Sequence, residues 1–204
     1  MKNKPAPQTL TFRLAALASI LLTALLAIDP WAAHAADPKL LDDYLDPVRN
    51  KNGVERLLID DKTAGGKSQA TQKCDHGALT VKGELVPGRG APAFMSLVSP
   101  LSADGKPKDL TGYQGVRLRV KVTKGMLCLQ VSSAEVTNFD FHASAPIAGK
   151  GGVLQEVRIP FKELKRTWSE PTALNLKSIT SVNLVSFSVA RDTFAYEVAE
   201  IGLY

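Results

Sequence analysis

The chain has 204 residues, 45% of them hydrophobic, with 25 basic against 20 acidic residues for a net charge of +5. That length suits one domain with some chain to spare. The basic residues are scattered without a long run, which argues against nucleic acid as a partner.

The first 35 residues read as a signal peptide: Lys2, Lys4 and Arg13 begin it, Leu14 to Ile28 is apolar, and Ala33-His34-Ala35 precedes a cut before Ala36. The apolar run of about 15 residues is short for a bilayer core of roughly 30 Å, so no stable membrane insertion is expected after cleavage. No cysteine follows the run to take a lipid anchor. The mature chain is therefore expected in the periplasm or outside the cell. Cleavage removes Lys2, Lys4 and Arg13 together with Asp29, lowering the charge from +5 to +3.

Residues 36–56 read as a lead-in and linker. Leu41, Tyr44 and Leu45 have helical spacing and Pro47 stops the pattern, so a short helix or turn is expected over Lys39 to Leu45. An exposed linker follows from Asn50 to Gly53.

Over residues 57–204 the pattern changes to period two, the mark of half-buried strands. Val116, Leu118, Val120 and Val122 share one face, and Arg117, Arg119 and Lys121 the other. After a turn at Lys124-Gly125, Leu127, Leu129 and Val131 alternate with Cys128, Gln130 and Ser132, which predicts a hairpin. Val157, Ile159 and Phe161 continue the theme, with Pro160 marking an edge or a strand end. Further strands are expected over 57–60, 68–73, 78–82, 93–98, 182–189 and 195–204, with short helical turns only at 161–166 and 174–178. Turn residues separate them at Asp75-His76-Gly77, Pro87 to Gly90, Asp104 to Pro107 and Gly149 to Gly152. Many short strands joined by turns make an all-β sandwich or barrel.

Four segments in order carry a resemblance: Asp60 to Ser68, Ala78 to Leu85, Asp109 to Val120, and Gln155 to Phe161 with Trp168 beyond. The chain resembles the NADH:ubiquinone oxidoreductase (complex I) intermediate-associated protein family over about residues 57–204. The resemblance implies a galactose-binding-like jelly-roll β-sandwich and a role as an assembly factor. It brings no catalytic residue with it, and one sandwich hosts many activities. Jelly rolls of this kind also imply a structural calcium ion, here with Asp60 or Asp61 on the first strand and Glu200 on the last as ligands. Solvated carboxylates are the other reading of those acids.

Cys74 and Cys128 read as a disulfide in an oxidising compartment, with two free buried thiols as the alternative. With His76 and His142 they match no zinc spacing. For a ligand, Trp168 offers a stacking surface, Phe139-Asp140-Phe141-His142 a mixed aromatic and polar edge, and Arg117, Arg119, Gln130 and Arg158 a polar sheet face expected to be shared. Aromatics make up only 6% of the chain, so a sugar platform would be thin. The leading expectation is an exported, non-catalytic module binding a saccharide or a protein partner, with Trp168, Arg158 and His142 converging on one sheet face. The alternative is a structural or assembly factor for an envelope or respiratory complex. A hydrolase would need two acids about 5–9 Å apart, and no such pair is nominated.

Overall fold

The computed structural model describes residues 38–204, so the signal-peptide reading lies outside the described residues. Eleven strands follow in chain order: β1 (Lys39–Asp42), β2 (Leu57–Asp60), β3 (Gln69–Asp75), β4 (Ala78–Leu85), β5 (Ala93–Pro100), β6 (Gly115–Lys124), β7 (Cys128–Ser133), β8 (His142–Ala143), β9 (Gln155–Pro160), β10 (Ile179–Ser188) and β11 (Asp192–Leu203). They form two antiparallel sheets. One runs β3-β4-β11-β6-β9, with β1 beside the last residues of β11, and the other runs β2-β5-β10-β7-β8. Among the described residues, helix is confined to single 3-10 turns at Lys62–Ala64, Phe161–Glu163 and Leu176–Ser178. The all-β jelly-roll sandwich is thus the architecture, and no described helix is long and apolar enough to cross a membrane.

The period-two pattern places the core as expected. Val116, Leu118 and Val120 of β6 and Val81 of β4 face Leu129 and Val131 of β7 and Val182 and Leu184 of β10, all buried. A fully buried Val or Leu contributes about 1.5–3 kcal/mol, so these facing rows supply most of what closes the two sheets.

Two local expectations are corrected. The Val116–Val131 segment is not a hairpin, because β6 joins one sheet and β7 the other. Alternation fixes which face a strand buries, and both strands do bury their predicted faces, but it does not say which sheet the strand joins. The lead-in is also not helical. Its first residues are β1, paired with β11 through Lys39↔Leu203 and Leu40↔Gly202. Leu41 and Tyr44 are buried as their spacing demanded, by a strand followed by a bend in which Tyr44 takes φ 54°.

Nor is this segment a linker. Arg56 grips Asp42 through Nε–Oδ2 at 2.6 Å and Nη2–Oδ1 at 2.8 Å, both side chains buried. The same guanidinium donates to the carbonyls of Asp46 and Arg49 and lies 4.6 Å from the Tyr44 ring centre. Asn50 donates to the Pro100 carbonyl at 2.8 Å. A forked guanidinium satisfies carboxylate and carbonyls together, so residues 39–56 are bolted onto the sandwich.

Candidate ligand-binding face

Residues paired across an antiparallel sheet share a face, so the register defines what each outer surface presents. In the five-stranded sheet, Leu57, Val98, Asn183, Gln130 and Ala143 make one row from β2 to β8. Ile59, Ser96, Val185 and Cys128 make a second. Phe94 opposite Phe187 closes one end, and Ser181, between Pro100 and Ser132, closes the other. The intervening residues Leu97, Leu129, Val182 and Leu184 fill the core.

Across β2, β5, β10, β7 and β8 this outer face carries no acidic or basic side chain. Its floor is made of short side chains, flanked by the more exposed Leu57, Ile59 and Phe187. Asn183 sits at its centre, only 3% exposed. Its Nδ2 donates to Ser132 Oγ at 2.9 Å, while its Oδ1 accepts no hydrogen bond from the described residues. A buried acceptor left without a partner costs about 1–3 kcal/mol, and this one lies beneath the surface of the face, closed to solvent.

The outer face of the six-stranded sheet is the opposite in character. Arg117 pairs with Glu200, Lys121 with Glu197 at 2.7 Å and Arg158 with Glu156 at 3.0 Å. Arg158 also lies 5.3 Å from the Tyr204 ring centre. These cations are committed to neighbouring anions, which marks a solvated surface.

At the β8 edge, a second feature is built around Asp140, 1% exposed. Its Oδ1 accepts from the Thr167 N–H at 2.8 Å, and its Oδ2 from Trp168 at 3.1 Å and Ser169 at 2.6 Å. Arg166 donates to the Asp140 carbonyl and to Asn138 Oδ1, and Asn138 donates to Ser169 Oγ. Burial alone would raise the Asp140 carboxyl, but the hydrogen bonds from Thr167, Trp168 and Ser169 outweigh it and hold the group below its ordinary 3.8. His142, buried beneath, meets the Thr172 carbonyl through Nε2 at 2.8 Å. The loops so tied present Trp168 and Phe139, 68% and 77% exposed.

The residues nominated from sequence therefore fall into separate places. Asp140, His142 and Trp168 belong together, but Asp140 and His142 are structural supports turned inward, and only Trp168 faces out. Arg117 and Arg158 lie on the other sheet, so Trp168, Arg158 and His142 do not converge. Asp60 pairs with Lys62 on β2 while Glu200 pairs with Arg117 on β11. The two sit in different sheets, and among the described residues no three His, Cys, Asp or Glu side chains gather as a metal site.

Asp61, the other acid nominated there, is buried and accepts from the Ser68 N–H and hydroxyl and from the Phe94 N–H. Cys74 and Cys128 are free thiols, which corrects the disulfide reading. Cys74 packs toward the core from β3 and donates to the Tyr44 carbonyl at 3.0 Å. Cys128 points to the outer side of the other sheet, so a whole sheet stands between them.

The sandwich is similar to solved structures that fix the fold. A family 11 carbohydrate-binding module of the cellulosomal cellulase Lic26A-Cel5E of Clostridium thermocellum matches with a TM-score of 0.60 at 15% identity, over 83% of this chain and 95% of that one. The Clostridium thermocellum family 11 module in complex with a β-1,3-1,4-mixed-linked tetrasaccharide matches with a TM-score of 0.59 at 14% identity, over 81% and 94%. The agarase AgWH50C matches with a TM-score of 0.53 at 10% identity, over 81% of this chain and 24% of that one. No curated protein matches the chain in sequence. The sequence model for complex I intermediate-associated protein 30 matches residues 50–198, so the chain belongs to that family.

Proposed function

We propose that the chain is an exported, non-catalytic binding module that takes a neutral saccharide on the outer face of its five-stranded sheet. The observation that carries this is the sorting of charge. One outer face is laced with ion pairs, and the other has none, offering amide and hydroxyl groups beside the Phe94–Phe187 pair. A sugar ring needs that combination, an apolar surface for its C–H face and neutral partners for its hydroxyls. Likeness to carbohydrate-binding modules supports a binding role for the sandwich.

The test is affinity electrophoresis in gels cast with neutral polysaccharides, mixed-linked β-glucan and agarose among them, beside an acidic one such as alginate. Retardation by a neutral polymer supports the reading, and retardation by alginate alone overturns it. A second reading, an assembly factor docked on a protein of the envelope or a respiratory complex, is favoured by exposed Leu57 and Ile59 on the edge strand β2 and by the family's name. It expects a stable partner on co-purification and a loss of that partner in Leu57→Lys.

A further inference from the structure

We propose that the Asp140-tied loops extend the sheet face sideways into an aromatic subsite, so that the module grips an internal stretch of a neutral glycan chain and not a chain end. The inference rests on the sheet-face reading above. The sheet does not stop at β8. Ala143, which continues the Asn183–Gln130 row, exchanges both backbone hydrogen bonds with Lys165 at 2.9 Å. Lys165 thus adds one further row, whose exposed side chain by the same register sets a single cation beside Ala143 at this edge, and from β2 to that row the surface is about 24 Å wide at about 4.8 Å per strand.

The aromatic residues stand at this far side. Asp140 and His142 are both buried, and half-buried Phe141 lies between them immediately before β8. Phe139 packs edge to face on Phe141, with ring centres 6.3 Å apart. Trp168 follows Lys165 by three residues, its backbone clamped by Asp140.

Large aromatics left 68% and 77% exposed contribute little to folding, yet a buried carboxylate with three backbone donors is spent on holding their loops still. Phe139 even takes φ 61°, a conformation uncommon for a residue with a side chain. Rigid, exposed aromatics lose little freedom on binding, which suits them to stack on planar ligand faces. The loops that carry them join the sheet beside Ala143, and the rows from β2 to β8 hold no charged side chain, so the occupant is one continuous neutral chain of sugar rings.

The experiment is isothermal titration of the full chain with two ladders, mixed-linked β-gluco-oligosaccharides and agaro-oligosaccharides, from disaccharide to hexasaccharide. The wild type is expected to bind more tightly as the chain lengthens. Trp168→Ala is expected to bind the shortest oligomers like wild type but the hexasaccharide about tenfold more weakly, and Phe139→Ala to act in the same sense. Phe187→Ala is expected to weaken every length. If Trp168→Ala and Phe139→Ala match wild type at all lengths while Phe187→Ala weakens binding, the extension is overturned and the sheet face stands. If neither ladder binds, both are overturned. Matching melting curves for the variants exclude a folding defect, and Trp168→Phe restores the length dependence if stacking is its source.

Discussion

Replacing Asp140 by Asn tests whether one buried carboxylate holds the Trp168 loop. The side chain keeps its size, but an amide has one acceptor oxygen where the carboxylate has two. Placed to keep Trp168 and Ser169, it turns an NH₂ toward the Thr167 N–H, donor against donor, where the native contact is 2.8 Å. One charge-assisted hydrogen bond is lost, at about 1.5–3 kcal/mol, and the two that remain fall to neutral strength. The total is about 2–4 kcal/mol, or a melting point lower by about 5–15 °C for a domain of this size.

The pH dependence has a definite sign. The carboxyl sits below its ordinary 3.8 in the folded chain, so its contribution is complete above that value and is lost as pH falls through the folded value. Wild type should therefore lose stability below about pH 4, and the Asn variant should lose less over the same range. In a chain beginning at residue 36, Trp168 is the sole tryptophan, so its fluorescence anisotropy reports the loop directly. A variant with an unchanged melting point and unchanged anisotropy would refute the role given to Asp140.

Three further outcomes follow from the geometry. Arg56→Met should cost about 3–5 kcal/mol in urea titration, because it strands buried Asp42 without its partner; a change below 1 kcal/mol would restore the lead-in to a mere linker. Gly66→Ala should lower the melting point far more than Gly90→Ala, since a Cβ at Gly66 would lie 2.1 Å from Asp61 Cγ while one at Gly90 meets open space. Both glycines have room to differ only in that contact and in φ, which is strained at Gly90 alone, so the ranking is a stringent check. An aromatic disulfide reagent should find Cys128 unreactive in the folded chain, where burial pushes its thiol up to about 11, and two thiols in denaturant. Finding none in denaturant would put the disulfide back.

Much of the fold was legible because its strongest strands write both faces in the sequence. Val116 to Val122 alternates valine or leucine with arginine or lysine, and it became an inner strand of the six-stranded sheet with its charged face outward. The five-stranded sheet hid its outer face for a physical reason. β5, β7 and β10 contain no charged residue, so their core side and their outer side differ only as Leu and Val differ from Ser, Asn and Cys. The candidate site is written in that missing charge, a signal visible once the strands are known to be neighbours. Tyr44 and Leu41 misled because an i, i+3 spacing is met equally by a strand and a left-handed bend. The clasp of Asp42 by Arg56, fourteen residues apart, left no local mark at all.

The most direct measurement compares the two outer faces in one binding assay. Phe187→Ala and Gln130→Ala alter the uncharged face, and Arg119→Ala and Lys82→Ala the charged one, all four at positions outside the core. Titrated with a mixed-linked β-glucan or agarose oligosaccharide, the first pair should lose about tenfold or more in affinity, equal to about 1.4 kcal/mol, and the second pair should bind like wild type. Retained affinity in the first pair with loss in the second would contradict the assignment of the site to the five-stranded sheet.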